Sequence, residues 1–143
     1  MISQLILNQL CTNEEYVRRA LPFLKDEYFE RGERLLFAVL SRFITKYNTV
    51  PTEAALKLEL QKIPNISNEI MELVSRAYKS EPVDINWVLD ETEKFCQDRS
   101  IYLAIMESIQ IIDGKHKELT NNAIPDILSK ALAVSFDTNI GHD

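Results

Sequence analysis

The sequence predicts an all-α domain, and three observations support that fold class. Apolar residues recur every three or four positions through most of the chain, which is the spacing of one helical face. Glycine occurs only three times, so a glycine-rich phosphate loop and a series of tight hairpin turns are both excluded. The five prolines lie between the apolar segments or at their edges, where helices begin and end. A dinucleotide-binding fold and most barrels and sandwiches are therefore ruled out.

Five helices are predicted in a globular head that covers residues 1–82. The first places Ile2, Leu5, Ile6 and Leu10 on one face. Thr12-Asn13-Glu14-Glu15 has the form of a capping box, which predicts that a second, short helix begins at Thr12.

The third to fifth helices are separated by prolines. A stripe of large apolar residues from about Gly32 to Tyr47 is broad enough to predict a central helix. Thr49-Val50-Pro51-Thr52 ends that helix and starts the fourth, and Pro64-Asn65 separates the fourth from a fifth around Ile70–Ala77.

A long helical hairpin is predicted for residues 83–136. Asp84 is a suitable N-cap, and the absence of glycine and proline before Gly114 predicts a helix of about 29 residues, or ~43 Å. That length exceeds the diameter of ~37 Å expected for a compact chain of this size, so the helix is expected to protrude. After a polar turn, Pro125 opens a last helix, and residues 137–143 are expected to start a linker.

The far half of the long helix is apolar nearly all the way round, so one partner helix cannot cover it. Leaving such a face in water costs about 25 cal/mol per Å² of apolar surface, which favours self-association. The alternative is that the hairpin folds back onto the first five helices. The predicted oligomer interface consists of Ile101, Ile105, Met106, Ile109, Ile112, Ile127, Leu128 and Leu132.

No catalytic, cofactor-binding or metal-binding residues are predicted. The only Gly-Lys pair, Gly114-Lys115, is followed by His116, where a P-loop requires Ser or Thr. Neither histidine has Cys or His neighbours at ligand spacing. Cys11 and Cys96 lie on apolar stripes, which predicts buried free thiols in a reducing cytosol.

Net charge limits the expected partners. The formal charge of −6, from 16 basic and 22 acidic residues, predicts that this domain binds DNA only weakly. The longest uncharged apolar runs, such as Leu35–Leu40, are far shorter than the ~18 residues of a membrane span, so no membrane partner is expected. Without a signal peptide, the protein is expected in the cytoplasm.

Five segments, taken in order, resemble the N-terminal domain of the replicative hexameric helicases of T-even-type phages, which are DnaB-like. The resemblance covers nearly the whole chain. It is carried by Asp26–Glu30, Thr49–Leu56, Trp87–Lys94, Ala123–Ile127, and the tail from Ala131 to Asp137 and from Gly141 to Asp143.

The resemblance implies a small helical head with a C-terminal hairpin, whose copies pair between subunits. Six such domains would form a collar, a trimer of dimers, on which primase docks in the cytoplasm of the infected host. The parent would be an ATP-dependent DNA helicase whose motor, with ATP and Mg²⁺, begins after Asp143. This fragment would hold no cofactor and would not itself be an enzyme.

The primase-docking surface is predicted on the second and fourth helices, where charged residues flank apolar ones. It consists of Tyr16, Arg18, Arg19, Lys57 and Leu58. Two alternatives are a stand-alone helical adaptor and a DNA-binding regulator with a helix-turn-helix. The acidic charge and the lack of a basic recognition helix argue against the regulator.

Overall fold

The computed structural model describes residues 1–136, and all the regular structure within them is helical. The predicted all-α class is confirmed, and each predicted helix is present. The α-helices are α1 (Ile2–Thr12), α2 (Glu14–Ala20), α3 (Arg31–Tyr47), α4 (Glu53–Gln61), α5 (Asn68–Tyr78), α6 (Ile85–Ile112) and α7 (Ile124–Leu132). Short 3₁₀ turns occupy Leu21–Phe23, Asp26–Tyr28 and Asn121–Ala123.

The chain forms two compact units that divide inside α6, between Thr92 and Glu93. The sequence-based division into a head and a hairpin was placed at residue 83 instead. The predicted linker, residues 137–143, lies outside the described part of the chain.

The first unit is built around α1, α3 and α5, which contact one another, while α4 packs against α3 and α5. Most of its fully buried side chains are apolar, and they come from every one of these helices. Ile6, Leu10, Leu36, Leu40, Leu56, Leu60 and Val74 are among them. The contacts of α3 with three other helices agree with its predicted central place.

Side-chain caps define several helix starts in the first unit. The Thr52 hydroxyl accepts from the Ala55 amide at 3.1 Å, and the Asp84 carboxylate accepts from the Trp87 amide at 2.9 Å. Both caps stand where the sequence predicted a helix to begin.

The predicted start of α2 is wrong by one residue. Thr12 ends α1, where its hydroxyl donates to the Asn8 carbonyl at 2.9 Å. Asn13 caps α2 instead, because its side-chain oxygen accepts from the Tyr16 amide at 3.0 Å.

The second unit contains the predicted antiparallel hairpin. The Ser100 hydroxyl donates to the Ala131 carbonyl at 3.0 Å, and the Gln97 side-chain amide donates to the Val134 carbonyl at 3.1 Å. Nearer the base, the Phe136 amide donates to a Glu93 carboxylate oxygen at 2.9 Å. From Ala131 to Val134 to Phe136 the residue numbers rise, while those of their partners in α6 fall, so the two segments run in opposite directions.

The end of α6 is a glycine-capped Schellman turn. Gly114 has a φ of +74°, and the Lys115 amide donates to the Gln110 carbonyl at 2.9 Å. The Gly114 amide donates to the Ile111 carbonyl at 3.0 Å. This pair of bonds satisfies carbonyls that the helix end would otherwise leave without partners, and it turns the chain toward α7.

Candidate interaction surface

One face of α6 presents a continuous row of exposed apolar side chains, which we call the α6 stripe. Its members follow one another at spacings of three or four residues, apart from the adjacent pair in the middle, so they share a side of the helix. The stripe consists of Tyr102, Ile105, Met106, Ile109 and Ile112, which are 47%, 45%, 40%, 43% and 65% exposed. A row of this kind is typical of a helix that packs against a second helix.

A different side of the same helix is buried within the chain. Ala104, Ser108 and Ile111 are each less than 9% exposed, and the Ser108 hydroxyl donates back to the Ala104 carbonyl at 2.8 Å. The near-uniform apolar composition of this part of α6 therefore reflects two separate apolar faces. One face is covered by the chain itself, and the other remains in contact with solvent.

The predicted oligomer interface maps onto both helices of the hairpin. Four of its members, Ile105, Met106, Ile109 and Ile112, are in the α6 stripe, and Leu132 of α7 is 70% exposed. The other three are half-buried: Ile101, Ile127 and Leu128. Tyr102 of the stripe was not among the predicted interface residues, although its spacing from Ile105 and Ile109 was a signal that could have found it.

Polar contacts lie beside the stripe. The Arg99 guanidinium sits 4.9 Å from the centroid of the Tyr102 ring, a cation–π contact. His116, in the turn after α6, contacts the Glu107 carboxylate at 3.2 Å through Nε2. Its Nδ1 accepts from the amides of Glu118 and Leu119, both at 3.2 Å. These contacts tie the turn to α6.

The predicted docking surface on the head is partly wrong, because Tyr16 is fully buried. Its hydroxyl lies 2.7 Å from the Thr92 hydroxyl, and the Thr92 hydroxyl donates to the Val88 carbonyl at 2.6 Å. Tyr16 is therefore the donor to Thr92, and its ring belongs to the core of the first unit. No local signal in α2 reveals this contact, because the two residues are 76 positions apart.

The other four residues of that predicted surface are accessible to different degrees. Arg18 and Arg19 are exposed, and Arg19 forms an ion pair with Glu15 at 3.4 Å. Leu58 is 60% exposed. Lys57 is half-buried, and its ammonium group contacts Glu53 at 2.9 Å and Ser75 at 2.7 Å. The Lys57 hydrogen bond lowers the pKa of the Glu53 carboxyl.

The two cysteines are buried free thiols, as predicted. Burial raises the pKa of Cys11 to about 12 and that of Cys96 to about 12. A thiol of this kind is almost entirely protonated at neutral pH, so neither cysteine is suited to nucleophilic chemistry. Within residues 1–136, no group of three His, Cys, Asp or Glu residues could hold a metal ion, and no helix is long and apolar enough to cross a membrane.

These features define a class of protein: a domain that is all-helical over its described residues and exposes an apolar helix face. No protein-family model matches the chain. It is similar to the DnaB-like replicative helicase of Enterobacteria phage T4. The identity is 31% over an alignment 152 residues long, which covers 98% of this chain and 32% of the relative. The chain thus spans about a third of the length of that relative. This similarity to a DnaB-like replicative helicase confirms the resemblance stated from the sequence.

Proposed function

We propose that this chain is the N-terminal collar domain of a phage replicative DNA helicase, where it joins subunits and docks primase in the cytoplasm of the infected host. The observation that carries the proposal is the α6 stripe, five exposed apolar side chains on one helix face of a helicase-related chain. A face of this kind is stabilised when a second copy covers it, and symmetric pairing is the commonest way for identical chains to do so.

In this proposal the hairpins form the contacts, with the stripe of one copy against the stripe of the next, giving a dimer and then a trimer of dimers. ATP and Mg²⁺ would be bound by a motor domain outside this chain. The acidic domain would contribute little to DNA binding, because its formal charge is −6.

Cysteine cross-linking tests the pairing directly. We would place single cysteines at Ile105, Met106 or Ile109, with Leu58→Cys on α4 as a control that is more exposed than any of the three. Because native Cys11 and Cys96 are buried, they should not interfere.

We expect concentration-dependent mass by light scattering and a disulfide-linked dimer for at least one stripe cysteine. Leu58→Cys should associate as the wild type does but form no disulfide-linked dimer. A wild-type chain that stays monomeric at every micromolar concentration, or equal cross-linking at Leu58, would contradict the proposal.

The proposed primase surface comprises Arg18, Arg19, Lys57 and Leu58, without the buried Tyr16. Reversing the charges at Arg18 and Arg19 together should weaken binding of the cognate primase without altering oligomer size, because both guanidinium groups are exposed. The matched control reverses Lys115 and Lys117 in the turn after α6. Normal primase binding by the first variant and loss of binding by the second would move the docking site to that turn.

A further inference from the structure

Two adjoining grooves run along the first unit beside α3, and of their lining residues only Arg18 belongs to the proposed primase surface. The larger encloses about 710 Å³ between α3 and the segment around the second 3₁₀ turn, and the smaller encloses about 400 Å³ between α3 and the end of α2. Ser41 and Thr45 line both grooves, so together the grooves form one continuous surface.

The floor of this surface is suited to a helix. Ala38, Ser41 and Thr45 recur along α3 at spacings of three and four residues, and they are small enough for another helix to approach closely. The edges of Leu24 and Phe37 add apolar contact, although each side chain is itself less than 9% exposed. An occupant therefore needs an apolar stripe of its own.

The rim carries basic side chains. Lys25, Arg42 and Lys46 line the larger groove, and Arg18 lines the smaller. Four basic residues thus face two carboxylates, Asp26 and Glu27, giving a local charge of +2 in a chain whose formal charge is −6.

Most of these cations form no ion pair within residues 1–136. Arg18, Lys25 and Arg42 form no ion pair with any residue in the part of the chain that the structure describes. The hydrogen bond from Lys62, at 2.8 Å, is the main cause that lowers the pKa of Glu59, and the charges of Arg42 and Lys46 lower it further.

We propose that the grooves beside α3 bind an acidic, amphipathic helix of a partner protein. Its apolar stripe would lie over Ala38, Ser41 and Thr45, and its carboxylates would reach Lys25 and Arg42. Charge complementarity of this kind selects the partner and fixes its register. This inference goes beyond the proposed function and does not depend on subunit pairing through α6.

A protein helix fits this surface better than single-stranded nucleic acid does. Nucleic-acid grooves usually present exposed aromatic rings for base stacking, whereas the one aromatic ring lining these grooves, Phe37, is only 4% exposed.

The test is a selection of binding helices on the full chain. A library of peptides displayed as amphipathic helices on a neutral scaffold would have all its solvent-facing and flanking positions randomised. We expect the selected peptides to be enriched in Asp and Glu beside an apolar stripe. A labelled selected peptide should shift the NMR amide signals of Ala38, Ser41 and Thr45.

Two variants make the assignment specific. The double variant Lys25→Glu and Arg42→Glu should bind the selected peptide at least about tenfold more weakly, because two attractive contacts become repulsive. The control, Arg19→Glu, is exposed on α2 but lines neither groove, so its affinity should not change. Both variants should keep the oligomeric state of the wild type, which separates this test from that of the α6 stripe.

Three outcomes would overturn the proposal. One is selection of neutral or basic helices, and another is undiminished binding by the double variant. The third is an oligothymidylate that occupies the grooves with a steep salt dependence and displaces the peptide, which would assign the surface to single-stranded DNA.

Discussion

Replacing Ile105 by Asp tests the exposed face of α6 without disturbing its buried face, because this side chain lies in the middle of the exposed stripe. It is 45% exposed, so in a single chain the new carboxylate can reach water and the fold should be kept. In a symmetric pair of stripes the same carboxylate is covered without a cationic partner. An uncompensated buried charge costs about 3–5 kcal/mol, which weakens association at least about 100-fold for each copy that carries it.

The matched control is Ile111→Asp, the same substitution six residues further along the same helix. Ile111 is only 5% exposed, so its carboxylate would be buried within the chain itself. The free energy of burying this carboxylate then reduces the stability of the fold rather than the strength of association. Ile111→Asp should lower the helical circular dichroism of the chain, whereas Ile105→Asp should keep the helical signal and lower the mass measured by light scattering.

The pair of variants also defines the result that would refute this reasoning. If Ile105→Asp loses helix signal as Ile111→Asp does, then Ile105 belongs to the intramolecular core and the stripe is not a free surface. If Ile105→Asp is folded and associates as tightly as the wild type, subunits pair elsewhere.

Three further predictions follow from the buried and turn residues. Gly114→Ala should lower the free energy of unfolding by about 1 kcal/mol in urea titrations, since no atom obstructs a new Cβ but the positive φ disfavours an L side chain; an unchanged stability would show that the turn relaxes. Tyr16→Ala should destabilise the first unit by about 3–5 kcal/mol, a loss of core packing visible in thermal unfolding and not a selective defect in partner binding. Because burial raises the pKa of Cys11 and Cys96 from 9.0 to about 12, folding favours the protonated thiols: their contribution should be constant below pH 9 and fall between pH 9 and about 12. Replacing both cysteines by Ala should flatten the pH dependence of stability in that window.

The helices could be predicted because their boundaries are set by residues close together in the sequence. Thr52 and Asp84 cap α4 and α6 through bonds to amides three residues ahead, so each cap and its target lie in one short segment. The error at α2 arose where two capping residues are adjacent. Both Thr12 and Asn13 can accept a bond, and the choice depended on Thr12 donating back into α1, which the pattern of a capping box does not reveal.

The exposed surfaces were predicted less accurately than the helices, for a physical reason. The spacing of apolar residues gives the period of a helix but not which of its sides faces the core. In the short α2, Tyr16 was placed on a surface, yet its hydroxyl finds a partner 76 residues away that buries it. In α6 an apolar residue lies at almost every angle. The predicted interface included the exposed Ile105 and left out the buried Ile111, but it also included Ile101, which is half-buried. A helix with a single apolar face needs one partner, and α6 has two such faces. The second face therefore makes α6 the element on which the oligomeric state of this domain should depend.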